Sequence, residues 1–301
     1  MPSIDDKDKE DKMESAFDLP PLACDCHMHI FGTRDVFPYD AGRIYTPPPA
    51  SIDDYLALRG RLGLERVVVV QPSVYGIDNR CHADAVARIP GARGVAVIAG
   101  DEPDAELERL HRVGFRGARI NLEQGSIDAP IEAVLDRLGG RLTEIGWHLQ
   151  IFAKVEAIAA VEPILSRFPV PVMFDHFANL SPWLGPAQSG FDIVHGLLEG
   201  GNCSMKLSAA YHHPRRENEG GPEEARRFVA RLIETVPDRL VWGSNWPHPN
   251  VHPKTTATAA PIAPFRMIDD VEMLGFFVGW VGDAATLRTI LVDNPAAFYD
   301  F

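Results

Sequence analysis

The sequence predicts a single (β/α)8 barrel. Eight short apolar segments are spread along the chain, helical segments lie between them, and polar motifs stand at the C-terminal tips of several strands. Alternating strand and helix argues for a parallel sheet. No Gly-x-Gly-x-x-Gly turn marks a doubly wound sheet, and a barrel carries its chemistry on strand tips.

In order, residues 1–20 read as a flexible acidic tail centred on Asp5-Asp6-Lys7-Asp8-Lys9-Glu10-Asp11-Lys12, and residues 21–301 as the barrel. Strands are expected at 23–30, 66–73, 94–98, 117–121, 148–153, 170–177, 203–209 and 240–246. Several are rich in Val and Ile, such as Val67-Val68-Val69-Val70, as strands buried on both faces should be. A helix over 51–62 opens with Ser51-Ile52-Asp53-Asp54, a capping box with Asp in place of Glu. Helix 102–113 places Leu107, Leu110 and Val113 on one face and stops at Gly114. Helix 131–145 stops at Gly146, and helix 222–236 opens on Pro222. Residues 247–264, rich in Pro, Thr and Ala, read as a long loop leaving the eighth strand.

The chain has 301 residues, 46% of them hydrophobic, and a net charge of −13 without a long basic run. That balance speaks against nucleic acid and anionic membrane as partners. No stretch is long and apolar enough for a membrane span, and the N-terminus lacks a secretory h-region. Four cysteines in a chain this long read as reduced thiols, and the expected localisation is cytoplasmic. Nothing in the sequence indicates the oligomeric state.

The first strand carries Asp25-Cys26-His27-Met28-His29. Strict alternation puts Asp25, His27 and His29 on one face and Cys24, Cys26 and Met28 on the other. It therefore scatters Cys24, Cys26 and His27 too widely to bind zinc together. Two inward imidazoles are costly without partners, so they are candidate catalytic groups. His176, in Phe174-Asp175-His176, is placed to join them, while Asp175 is expected to face away. Arg119 lies in the apolar strand Gly117-Ala118-Arg119-Ile120-Asn121. Its fork suits a carboxylate, though spacing alone fits a surface salt bridge equally well. Candidate substrate contacts are Arg119, Ser73, Tyr75, Asn121, Lys154, Tyr211 and His248, the last also shaping its proline-flanked loop. Gln71, Asp78, Asn79, Lys206 and His212 are further polar groups near strand tips. No Gly-x-Ser-x-Gly elbow, His-Glu-x-x-His or P-loop occurs.

Together with Val70-Gln71-Pro72-Ser73, Gly243-Ser244-Asn245-Trp246-Pro247-His248-Pro249 and Asp293-Asn294-Pro295, these motifs resemble the amidohydrolase superfamily over residues 22–301. The resemblance is to its amidohydrolase 2 branch, which holds lactonases and a lactone isomerase. It implies metal-independent opening of a small carboxylated lactone of muconolactone or pyrone dicarboxylate type, in aromatic catabolism. Groups matching His27, His29 and His176 would polarise the carbonyl, and one matching Arg119 would bind a substrate oxyanion.

In these lactonases an aspartate stands at the position of Asn245 and activates water. An amide stays neutral and cannot be a general base. Asn245 is the fourth candidate catalytic residue, and its identity has three explanations. The chain is an isomerase acting on an aldarate lactone, it carries a replaced aspartate, or it is a hydrolase whose base is a histidine. No cofactor is expected. A divalent metal such as zinc, in a hydrolase or decarboxylase, is the remaining alternative.

Overall fold

The computed structural model describes residues 15–122, 130–213, 221–250 and 262–301. All eight expected strands form: β1 Cys24–Met28, β2 Arg66–Val70, β3 Ala92–Ala96, β4 Phe115–Asn121, β5 His148–Phe152, β6 Val172–Phe174, β7 Cys203–Ser208 and β8 Leu240–Gly243. They pair in sequence order, each parallel to the next. The circle closes where Asn245 N donates to His27 O at 2.7 Å and His29 N to Trp246 O at 2.8 Å. Gly243 permits that closure: a Cβ there would lie 2.7 Å from His27 Cβ and 2.8 Å from its nitrogen. Several ladders stop short of the expected ends, so His29, Ser73, His176 and Asn245 all lie just past the last paired residue.

The helices are α1 Ile52–Leu62, α2 Arg80–Arg88, α3 Asp104–Val113, α4 Ile131–Ile145, α5 Val155–Ala160, α6 Glu162–Leu165, α7 Phe191–Glu199, α8 Pro222–Thr235, α9 Asp270–Val281, α10 Ala284–Arg288 and α11 Asn294–Tyr299. The capping box at α1 is real with aspartate in the third position. Sequence reading anticipates α1, α3, α4 and α8. It passes over α9, which shows little polar periodicity yet buries Leu274, Phe277 and Val281.

Two apolar layers hold the barrel. Cys24, Cys26, Val68, Val70, Val95, Met173 and Val241 fill its interior, with Tyr299 of α11 packed on His148 at the start of β5. Val67 and Val69 belong to the outer layer under the helices. Their alternation along β2 is the regular strand period.

β1 breaks that period, which corrects the alternation expected for it. Its register against β2 shifts between Asp25 and Met28, the mark of a bulge. Cys24 and Cys26 therefore face inward, and Asp25 faces outward to accept from Tyr55 Oη of α1 at 3.1 Å. His27 and His29 still both point into the barrel, where their Nε2 atoms meet.

The tail was expected over 1–20, and residues 1–14 lie outside the described residues. Ala16 N donates to Arg61 O at 2.9 Å, and Phe17 packs against the core. Of the loop expected over 247–264, residues 251–261 lie outside the described set. Ala263 N donates to Thr46 O at 2.9 Å. Among the described residues no helix is long and apolar enough to cross a membrane, and the four cysteines are free and buried.

Candidate active site

Strand tips bring charged and polar groups into one cluster inside the barrel. Asp175, just past β6, is its centre. Its Oδ1 is 3.1 Å from His27 Nδ1 and 3.5 Å from Lys206 Nζ, and its Oδ2 accepts from Arg119 Nε at 2.8 Å. Lys206, on β7 and fully buried, donates to Gln150 Oε1 at 2.7 Å. Asp175 was expected to face away from the barrel. The backbone turns left-handed immediately after it, with φ +49° at His176 and positive values on through Asn179. That turn ends the strand period, so Asp175 and His176 both reach the interior. Non-glycine residues rarely hold such angles, and sites of function are where they collect.

Burial dominates the electrostatics. It lowers His27 to about 4, against the pull of Asp175 in the other direction. It also holds His29 and His176 well below the usual imidazole value, and His212 at about 3. All four rings are therefore neutral at pH 7. Burial alone would raise Asp175, but His27, Lys206 and Arg119 together outweigh it and keep the carboxyl well below the ordinary range. Burial lowers Lys206, and Asp175 partly restores it. One carboxylate between a guanidinium and an ammonium leaves the cluster with an excess of positive charge.

Hydrogen-bond partners fix the tautomers. His29 Nδ1 lies 2.7 Å from Val70 O, and a carbonyl only accepts, so that nitrogen carries the hydrogen. His27 Nδ1 lies 3.1 Å from the ionised Asp175 and 3.4 Å from the Lys206 ammonium, and the nearer carboxylate places the hydrogen on it. Both Nε2 atoms are then bare lone pairs, and they face each other at 3.3 Å. His176 differs, since its Nδ1 is 2.8 Å from the Ser208 hydroxyl, which can donate or accept and so suits either tautomer.

Above this cluster lies a pocket lined by His29, Tyr45, Ser73, Arg119, Asn121, Phe152, His176, His212 and Asn245, with Pro72 and Pro249 at its edges. Its space is about 340 Å³ counting the open mouth. Six of the eleven residues singled out from sequence line it: His29, His176, Asn245, Arg119, Ser73 and Asn121. His27 is completely buried and lies behind His29, Nε2 to Nε2 at 3.3 Å.

The other four are placed elsewhere. Lys154 is exposed at the N-terminus of α5. Tyr75 is buried in the wall, where its hydroxyl accepts from Gly32 N at 3.0 Å. Tyr211 stands behind Asn245, and His248 behind Tyr211. Gln71 donates to Gly76 O in the loop after β2 and Asn79 to Val97 O just past β3, and Asp78 pairs with Arg80 at the surface. Sequence reading missed Tyr45 and Phe152, which show no polar motif, and the central place of Asp175.

A family model described as amidohydrolase matches residues 24–301. The chain belongs to the amidohydrolase family. This amidohydrolase is 35% identical over 289 residues to 4-sulfomuconolactone hydrolase of Rhizobium radiobacter, covering 94% of this chain and 92% of that protein. It is 33% identical over 295 residues to the 2-pyrone-4,6-dicarboxylate hydrolase of Comamonas testosteroni, with the same coverage of 94% and 92%. D-galactarolactone isomerase of Agrobacterium fabrum is 27% identical over 286 residues, covering 93% and 92%.

The donor set also fits a divalent cation. His27, Asp175 and His176 each offer a ligand atom, all within 4.8 Å of one another, the one such group among the described residues. Cys24 and Cys26 face inward after all, yet their sulfurs sit in the apolar layer below. The two bare Nε2 atoms have the chemistry of metal ligands.

Proposed function

We propose that this protein hydrolyses a small carboxylated lactone, with His29 as the general base. The observation that carries this reading is the facing pair of lone pairs on His27 and His29. His29 lines the pocket with a bare, neutral Nε2, the form a base needs before reaction. Water attacks the lactone carbonyl and its proton passes to His29 Nε2; the acyl C–O bond then breaks as that proton is returned to the leaving ring oxygen, giving a hydroxy acid. Once protonated, His29 Nε2 can donate across 3.3 Å to His27 Nε2, and Asp175 behind His27 favours positive charge there. A substrate carboxylate beside Arg119 offsets the positive excess and makes that proton uptake easier.

The growing oxyanion needs donors, and neutral His27 and His29 have none to offer on Nε2. The Arg119 guanidinium and His176, in the tautomer in which Ser208 donates to Nδ1 and Nε2 carries the hydrogen, are the groups able to stabilise it. This divides a role that the family resemblance assigns to three histidines alike. The hydrolases related to this chain by sequence support the reaction class.

The same lone pairs favour a second reading, in which a divalent cation lies among His27, His29, His176 and Asp175. Such an ion would supply Lewis-acid polarisation of the carbonyl. We favour the metal-independent form because Asp175 already answers Arg119 and Lys206, and because position 245 offers an amide where a carboxylate would be a stronger ligand. A lactone isomerase is the remaining reading, carried by that same amide and by the isomerase relative.

The test is a panel of muconolactone, 2-pyrone-4,6-dicarboxylate and an aldarolactone, assayed with native protein, Asn245→Asp and chelator-treated protein. Proton release with a ring-opened acid, unchanged by chelator, is the expected result. Activity lost to chelator, with near-stoichiometric metal by elemental analysis, would replace the first reading with the second. A large gain in Asn245→Asp would move the base from His29 to residue 245.

A further inference from the structure

Behind Asn245 runs a line of buried polar groups that leads away from the pocket. Asn245 Nδ2 donates to Tyr211 Oη at 2.9 Å. Tyr211 Oη is 2.8 Å from His248 Nδ1, and His248 Nε2 is 3.1 Å from Asp270 at the start of α9. The Arg266 guanidinium lies 5.8 Å over the Tyr211 ring. Asn245 and His248 both hold left-handed backbone, φ +63° and +66°, and asparagine tolerates that region well.

The donors and acceptors of this line have one consistent direction. A carboxylate only accepts, so His248 Nε2 carries the hydrogen toward Asp270. A neutral His248 then has a bare Nδ1, and Tyr211 must donate to it. The Tyr211 oxygen is left to accept, which requires the NH2 side of the Asn245 amide. The reverse direction would point a bare Nε2 at the Asp270 carboxylate or require a doubly protonated His248.

We propose that Asp270, His248 and Tyr211 are positioning residues that lock the Asn245 amide with Oδ1 turned to the pocket, where it accepts a hydrogen bond from the attacking water. Tyr211 and His248 thereby leave the set of substrate contacts. Water held by its hydrogen at Oδ1 directs an oxygen lone pair at the carbonyl while its other hydrogen meets His29. The role of Oδ1 rests on the lactonase reading; the direction of the chain does not. An aspartate at 245 would force the chain to reverse, since a carboxylate cannot donate to Tyr211.

Nitrogen-15 NMR of His248 in the resting protein at pH 7 tests the direction without any substrate. The expected spectrum has hydrogen on Nε2 and none on Nδ1. Asn245→Asp should leave both nitrogens protonated. Hydrogen on Nδ1 in the native protein, or an Nδ1 still without hydrogen in Asn245→Asp, overturns the proposal. Where muconolactone is turned over, Tyr211→Phe should lower kcat about 10- to 100-fold with little change in KM, the loss of one orienting hydrogen bond of roughly 1–3 kcal/mol. A fall in thermal stability with kcat unchanged contradicts the positioning role.

Discussion

Two buried aspartates hold opposite walls of the pocket in different ways. Asp175 sits between Arg119, Lys206 and His27, on groups carried by β1, β4, β7 and the tip of β6. Asp270 starts α9 and meets the His248 imidazole, which leads through Tyr211 to Asn245. The first wall is a knot of charges fixed by strands, and its loss would leave cations unpaired. The second is a line of three neutral side chains on loops that ends on the Asp270 carboxylate of α9, and its loss would leave an amide free to turn. Charge sets the stability of one wall, and hydrogen-bond direction sets the geometry of the other.

Substitution at the two carboxylates should separate these roles. Asp175→Asn leaves Arg119 and Lys206 buried without a counter-charge. It should cost about 3–5 kcal/mol of stability, read as a large drop in denaturant midpoint, with activity lost. His29→Gln keeps the polarity of the pocket but removes the base. It should lower kcat by roughly 10²–10⁴ while the fold stands, measured by turnover beside thermal melting.

Acid should act on the charged wall first. Six imidazoles deep in the fold are lowered by burial: His27 to about 4, His82, His148 and His212 to about 3, and His29 and His176 well below the usual value. The unfolded chain takes those protons near pH 6.5 and the folded chain resists them. Stability is therefore full above about 6.5 and falls as pH drops toward 4 and then 3. Asp25, raised by burial to about 6, works in the opposite direction, as one group against six. Melting temperature followed from pH 7 to 4 should decline, and a rise would contradict the assignment of neutral histidines. The smallest effect belongs to the wall behind Asn245, where no buried cation depends on the carboxylate: Asp270→Asn should cost about 1 kcal/mol of stability, far less than Asp175→Asn. Equal losses would erase the distinction.

Much of the strand-borne wall was legible in the sequence. The His-x-His spacing, the arginine inside an apolar strand and the polar tip of the sixth strand all announce groups that face a barrel interior. What misled was the assumption of strict period two. The bulge in β1 turned Asp25 outward and Cys24 and Cys26 inward, and the left-handed turn at His176 brought Asp175 to the centre. Neither leaves a glycine or proline as a signal. Asp270 lay beyond reach because it meets His248 only through the packing of α9, a helix whose apolar residues surround it. Lys154, exposed at a helix start, shows that a polar residue after a strand need not turn inward.

The most direct test of hydrolysis is turnover of muconolactone in ¹⁸O-labelled water, with mass analysis of the product. The account predicts a ring-opened acid carrying one solvent oxygen per turnover in its new carboxylate. An isomeric lactone of unchanged mass would contradict it, and would make Asn245 part of an isomerase.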